Sequence, residues 1–527
     1  MDLPLTIWNW LLAFTPVLVV VVMMLVFRWG GSRAGGLGWV VAIVVAVVAF
    51  GADFKLLAVA QVKAILLSLD VLFIIWSALL LFNISREAGA IRMIGITLPR
   101  LTNDPVMQSL LIGWLMVSFI QGLGGFGVPV AVCAPMLVGL GYTPIQAVAM
   151  ASIGDGWGVT FGSLGISFQT LMAVTGLSYD VLGPLSALLI GIASFPSGLL
   201  VSVIGNGWKS IKRAFLPTLL LSVSMGAFQY FLVLNDLWTV GTTAASVVGL
   251  FIGFLLVQMP VYRNRGSRST DIDLPNQEEE GKKSLWLSLL GYEILVLLAF
   301  GINLIKPIKT FLGQVVFSLD FPQVSNRFGW VTPAGPGRGI NIFGHAGAIL
   351  LYSCIISFLI YRKIGYLEKG SLNRISKNVF RSGVNASLGI LAMVGVASIM
   401  MHSGMTFLLA EGLSVSFSRE IYPAIAPFIG ALGSFITGSN TNSNVLFAVL
   451  QKNAAELLNL SVPLILAAQT AGGSLGSVLA PAKVIVGSST VGLAGREGEV
   501  MRKLLGYGLI TIATVSIAAL VIFWIGD

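Results

Sequence analysis

Long apolar stretches separated by short polar ones run through the chain from end to end. A spanning helix needs about 20 mostly apolar residues, because lipid offers its backbone groups no other partners. Stretches of that kind occupy 7–27, 37–53, 64–84, 181–204, 214–233, 239–260, 285–305, 341–361, 384–409 and 504–525. Two further zones, 106–175 and 423–490, are apolar but interrupted by glycines, hydroxyls and amides. The pattern predicts an all-α fold, a polytopic transmembrane bundle of about 12 to 14 segments. The polar connections divide it. An N-terminal half, 1–261, holds the first broken zone. A mixed-charge cytoplasmic linker, 262–284, leads to a C-terminal half, 285–527, that holds the second. Residues 306–340, with Pro, Gly and aromatics, read as a second long loop.

Charge orients the bundle. Arg28 and Arg33, then Lys209, Lys212 and Arg213, then the basic stretch 362–382, then Arg496, Arg502 and Lys503 fall on one side when the spans are threaded in turn. The positive-inside rule makes that side cytoplasmic and places both termini and the 306–340 loop outside. Only 10% of the 527 residues are charged, against about 25% in a soluble domain. Mean hydropathy is +0.92. A disordered chain, a soluble enzyme and a nucleic-acid factor are all excluded. The net charge of +9 then belongs to basic loops, with the lipid bilayer and not nucleic acid as the partner. A multi-pass protein of the cell (inner) membrane is expected. The first apolar run lacks a basic flank and a cleavage site, and reads as a retained helix. Cys133 and Cys354 sit in apolar runs and read as small buried hydrophobes. No Walker A, CxxC or HExxH motif occurs, so no nucleotide, metal or other cofactor is expected, and no enzyme activity.

The two broken zones resemble each other. Phe119-Ile120-Gln121-Gly122 opens the first break and Phe435-Ile436-Thr437-Gly438 the second. Small or amide residues follow: Leu123-Gly124-Gly125-Phe126-Gly127 in one, Ser439-Asn440-Thr441-Asn442-Ser443-Asn444 in the other. Each zone then has a proline, Pro144 or Pro463, and ten residues later a glycine, Gly154 or Gly473. The threading brings the chain into the first zone from the cytoplasm and into the second from outside. That predicts two inverted repeats with broken or re-entrant helices, the construction behind alternating access in many carriers. The alternative is a coincidence of glycine-rich kinks.

Breaks at membrane depth survive only where protein or a watery cavity surrounds them, and they expose helix N-termini that favour anions. Gln121, Gly122, Gly124 and Gly125, with Ser439, Asn440, Thr441, Asn442 and Ser443, are therefore the candidate substrate-binding residues. The other reading of 439–444 is a surface loop, disfavoured by its apolar flanks. Ionisable residues inside apolar segments are candidates by default. Asp155 could carry a proton, bind a cation or cap a half-helix. Lys483 could face a substrate carboxylate or snorkel. Glu293 and His402 are further ion-coupling candidates. Asp70 reads as a cap or a partner of Lys63.

At these zones the chain resembles the L-lactate permease family. The resemblance rests on FIQGLGGFGVPVAVCAPMLVGLGYTPIQAVAM (119–150), FGSLGIS (161–167), GALGSFITGSNTNSNVLFAVLQ (430–451), and AAQTAGGSLGSVLAP with VGLAGREGE (467–499). It implies a secondary carrier of small 2-hydroxymonocarboxylates, L-lactate, D-lactate and glycolate, usually in symport with a proton. It also implies membership of a superfamily built from inverted repeats. Family members often carry acids where this chain has the amides Gln121 and Asn440. Asp155 stands where relatives can have a neutral residue, and Lys483 where they can have a small polar one. The expected partners are thus a small monocarboxylate anion and a proton, or sodium in a carrier of another anion, with a homo-oligomer as a further possibility.

Overall fold

The structure, a computed structural model, describes residues 3–27, 29–90, 102–125, 127–263, 285–337, 339–493 and 496–526. The expected linker lies outside the described residues from 264 onward.

Eleven of the described helices are long and apolar enough to cross a membrane, or twelve if the bent pair Leu289–Ile302 and Lys306–Leu312 is one span. Helices α1 (Ile7–Leu25), α2 (Gly31–Val48) and α3 (Phe54–Ala88) open the chain. The first broken zone holds α4 (Pro105–Leu123), α5 (Val128–Gly139), α6 (Pro144–Gly156) and α7 (Ile166–Thr175). Then come α8 (Tyr179–Asn206), α9 (Ile211–Leu234), α10 (Gly241–Gln258), α11 (Leu285–Leu304), α12 (Ala346–Lys363), α13 (Ser371–His402) and α14 (Met405–Ser416). The second broken zone holds α15 (Tyr422–Thr437), α16 (Asn440–Leu457), α17 (Val462–Ser477) and α18 (Pro481–Thr490), and α19 (Glu497–Gly526) ends the chain.

Two helices outrun their expected spans. The apolar stretch 64–84 lies inside the 35-residue α3, which starts early because Asp53 caps it, its Oδ1 accepting from the Leu56 amide at 2.8 Å. The stretch 384–409 is divided between α13 and α14, with Gly404 in the left-handed region at the join (φ +86°). α3 packs along α12 and α13, and α13 along α2, forming a frame beside the broken zones.

Residues 316–341 are not an irregular loop. They form a β-hairpin of three short antiparallel ladders, β1 (Val316–Phe317) with β6 (Ile340–Asn341), β2 (Asp320–Phe321) with β5 (Gly335–Pro336), and β3 (Val324–Ser325) with β4 (Val331–Thr332). Its turn is built on Asn326, whose Oδ1 accepts from the amides of Phe328 (3.0 Å) and Trp330 (2.9 Å). No apolar periodicity announces such a turn.

Each broken zone has the same order of pieces: helix, break, helix, then helix, break, helix. Within each, the first and third helices touch backbone to backbone. A Cβ on Gly154 of α6 would lie 2.0 Å from the Gly113 carbonyl of α4. A Cβ on Gly472 of α17 would lie 1.9 Å from the Pro427 carbonyl of α15. Only glycine permits that approach, as at close-packed membrane helix pairs. In α4 the approach coincides with a π-helical turn, Leu111–Met116, all six residues of which are buried.

Candidate functional site

The break of the second zone is made by Gly438, in the left-handed region at φ +72°, followed by extended Ser439. Ser439 caps α16, its Oγ accepting from the Asn442 amide at 3.4 Å. The polar run 439–444 is therefore the first turn of a helix with its N-terminus at the break. Asn440 and Asn444 stand one turn apart on one face. Both donate through Nδ2 to Thr470 Oγ1 on α17, at 3.3 and 3.0 Å.

The second break of the first zone, between α6 and α7, meets this turn. Thr160 Oγ1 accepts from Asn440 Nδ2 (3.2 Å) and donates to the Thr470 carbonyl (3.1 Å). The Thr160 amide donates to Ser474 Oγ (3.1 Å), which itself donates to the Gly156 carbonyl (2.7 Å). Ser167 Oγ lies 3.1 Å from Thr441 Oγ1, and the Ser167 carbonyl accepts from Asn444 Nδ2 at 3.0 Å. The first break of the first zone joins through Ser163, whose Oγ accepts from the Gly125 amide (2.8 Å) and from Gln121 Nε2 (3.4 Å). Gln121 and Gly125 thus form one hydrogen-bonded group and Asn440 and Thr441 another, and the segment from Thr160 to Ser167 joins the two into one cluster. Gly122 faces away, against Thr243 of α10. Ser443 also turns away, donating to the Gly430 carbonyl at 2.8 Å.

Three buried acceptors in this cluster, Gln121 Oε1, Asn440 Oδ1 and Asn444 Oδ1, meet no hydrogen-bond donor among the described residues. A buried acceptor left bare costs about 1–3 kcal/mol, so each marks a place where a donor or a cation is wanted.

Cavities lie on opposite sides of the cluster. On one side, spaces of about 520 and 470 Å³ share Ile75, Ile166, Asn385 and Ala386 as walls. The first reaches Gly124, Gly125 and Arg86; the second reaches Ser439, Thr441 and Asn442. On the other side, a space of about 450 Å³ lies under the β-hairpin, walled by Lys63, Thr332 and His402. The same helices line both sides: α3 gives Lys63 to one and Ile75 to the other, and α7 gives Ala173 to one and Ile166 to the other. Between these levels Asp70 Oδ2 on α3 accepts from Gln169 Nε2 on α7 (2.8 Å), and Asp70 Oδ1 lies 3.0 Å from His345 Nε2. The His345 ring stacks on Phe73 at 5.1 Å.

The remaining candidates fall elsewhere. Asp155 Oδ2 and Lys483 Nζ are 3.6 Å apart and form an enclosed ion pair between the two zones. Neither Asp155 oxygen has a hydrogen-bond donor among the described residues, and Lys483 donates to Ser477 Oγ at 3.3 Å. Glu293 lies in α11, which packs on α12 and α3. His402 ends α13, its Nδ1 2.8 Å from the Ser398 carbonyl. Among the described residues, no three His, Cys, Asp or Glu side chains converge as metal ligands.

Sequence reading passed over Thr160, Ser163, Ser167, Thr470 and Gln169, which stitch the breaks together, and His345. The hydroxyls had a signal: they stand in or beside glycine-rich breaks, such as Gly162-Ser163-Leu164-Gly165. His345 stands outside any break and had none.

A profile described as L-lactate permease matches residues 9–526. The glycolate permease GlcA of Escherichia coli (strain K12) is 26% identical, covering 97% of this chain and 95% of its own length. An L-lactate permease of Streptococcus iniae is 28% identical, covering 87% of this chain and 93% of its own length. Among solved structures, the YdaH transporter of Alcanivorax borkumensis aligns with a TM-score of 0.47 at 14% identity, covering 86% of this chain and 85% of that chain.

Proposed function

Because the chain belongs to the L-lactate permease family, we propose that it is a secondary active carrier of small 2-hydroxymonocarboxylates, lactate and glycolate, across the cell membrane. One observation carries the reading on the structural side. Each of the two vestibules has a cation in its wall, Arg86 on one side and Lys63 on the other, and Glu497 lines a further space that adjoins the Arg86 side through Gly30, Gly31, Thr437 and Gly438. A cation in the wall on each side favours the entry of a small anion from either direction.

At the meeting point the substrate carboxylate lies against the first turn of α16, where Thr441 and Asn442 offer donors and the helix dipole favours negative charge. The bare Gln121 carbonyl, beside Gly125 of the cavity wall, suits its 2-hydroxyl. Movement of the broken zones against the α3–α13 frame breaks and remakes contacts such as Asp70–Gln169, opening one vestibule as the other closes. The basic stretch 362–382 precedes and enters α13 near Arg86, which makes that vestibule the cytoplasmic one.

Asp155 is the coupling residue in this reading. With Lys483 it forms a pair of zero net charge. A proton on Asp155 leaves Lys483 as an unbalanced buried charge, which a bound carboxylate offsets. Proton and monoanion are thereby favoured together. A sodium-coupled reading has its own support: Asn440 Oδ1 and Ser434 Oγ, both without hydrogen-bond partners among the described residues, would each lie within 3.0 Å of a Cβ built on Gly473. Uptake of labelled L-lactate and glycolate into proteoliposomes, with imposed pH or sodium gradients, separates the two. Accumulation driven by pH alone is expected. Sodium-driven uptake indifferent to pH would reject the proton, and no saturable uptake of any 2-hydroxy acid would reject the substrate class.

A further inference from the structure

The vestibule under the β-hairpin contains more than a passage. His402 is 1% exposed and lies on its wall. Its Nδ1 sits 2.8 Å from the Ser398 carbonyl, a group that only accepts, so the ring proton of neutral His402 is on Nδ1. Nε2 is then a lone-pair acceptor, and no described residue donates to it. Lys63 lies on the same wall, its ammonium 5.2 Å from the centre of the Phe321 ring in the hairpin. The site is held in place from above. Asn326 Nδ2 donates to the Ser403 carbonyl (2.9 Å) and Trp330 Nε1 to the Met401 carbonyl (3.2 Å), on either side of His402. The hairpin turn is therefore fastened to the residues that carry the imidazole.

A cation and a buried acceptor with no donor among the described residues are together what a 2-hydroxycarboxylate needs, and the acceptor is what distinguishes it from a simple carboxylate. The first meets the carboxylate and the second takes the hydroxyl proton in a hydrogen bond. We propose that Lys63 and His402, beneath the β-hairpin, form a second binding site for a small 2-hydroxymonocarboxylate, separate from the cluster where the breaks meet. This assignment rests on the substrate class proposed above. The separation is structural: the hairpin vestibule shares no wall residue with the two cavities on the opposite side. The Asp70–Gln169 contact at 2.8 Å stands between them. A carrier with such a site holds one substrate at the threshold while another occupies the centre.

The test is equilibrium binding of radiolabelled L-lactate to the full chain in lipid nanodiscs, with thermal melting as the folding control. The wild type binds two equivalents. Lys63→Ala removes one and Asn440→Ala removes the other, whereas Lys63→Arg keeps both. His402→Ala weakens lactate at the hairpin site by about fivefold, one lost hydrogen bond, and leaves propionate, which has no hydroxyl, unchanged. If the protein transports lactate but binds a single equivalent, or if Lys63→Ala retains two, the second site is overturned and the carrier reading stands. If lactate and propionate lose affinity equally in His402→Ala, the hydroxyl assignment is wrong. If neither lactate nor glycolate is bound or transported, the substrate class fails, and the site with it.

Discussion

The two broken zones share a plan and divide the chemistry. Both lead into their first break with Ser-Phe-Ile, at Ser118-Phe119-Ile120 and Ser434-Phe435-Ile436. In the first zone the serine is occupied: Trp157 Nε1 donates to Ser118 Oγ at 2.7 Å, and the indole is fully buried. In the second zone Ser434 Oγ has no hydrogen-bond partner among the described residues, and the bare Asn440 Oδ1 lies near it, beside Gly473. The first zone also breaks with glycines, and the second with a capped helical turn of amides and hydroxyls. One copy supplies an acid, Asp155; the other supplies the amide and hydroxyl turn and Lys483. A repeat in sequence therefore does not mean two equal half-sites. Pseudo-symmetry sets the frame, and a few side chains make the two copies differ.

That asymmetry can be broken in order of effect. Asn440→Ala removes the residue that joins Thr160 and Thr470, and uptake should fall by about a hundredfold, the loss expected when a buried polar network is left half-satisfied. Gln121→Ala, at the matching break, should cost about tenfold, since Gln121 makes one long bond at 3.4 Å. Equal losses in labelled-lactate uptake would erase the claimed difference.

Asp155→Asn leaves Lys483 buried without its counter-charge and should destabilise the protein by about 3–5 kcal/mol, read by thermal melting in nanodiscs. Adding Lys483→Met should recover most of that loss, because a neutral pair replaces a neutral pair. In transport, Asp155→Asn should abolish accumulation and largely spare exchange of lactate for lactate. A single variant as stable and as well coupled as the wild type would remove the pair from the coupling mechanism.

Gly154→Ala and Gly472→Ala probe the packing that the zones share. Each forces a Cβ into a carbonyl and should cost about 1–3 kcal/mol, by similar amounts in the two copies. A harmless substitution at either position would contradict the backbone contact drawn there. Smallest is Thr160→Val, which removes a hydroxyl between Asn440 and Thr470 and should lower stability by about 1 kcal/mol.

Much of this was legible in the chain. Apolar runs about 20 residues long identify spans with little ambiguity, because lipid permits few alternatives. The glycine and amide breaks marked Gln121, Gly125, Asn440 and Thr441, which the fold brings into one cluster. What stayed hidden depends on three-dimensional pairing. Asp155 and Lys483 are 328 positions apart in number, and nothing local announces that their charges meet at 3.6 Å. Gly122 looks like Gly124 and Gly125 in sequence but packs against Thr243, because helical rotation turns it to another face. Asp70 read as a cap or a partner of Lys63; its bonds to Gln169 and His345 require helices far apart in the chain. The hairpin of 316–341 escaped because its turn rests on one asparagine side chain.

The most direct measurement is an experimental structure of the protein with bound L-lactate. Ligand density is expected at the meeting of the two breaks, with the carboxylate against Thr441 and Asn442 at the start of α16 and the body of the molecule beside Gly124 and Gly125. Density that leaves this cluster empty while lactate is transported would contradict that placement.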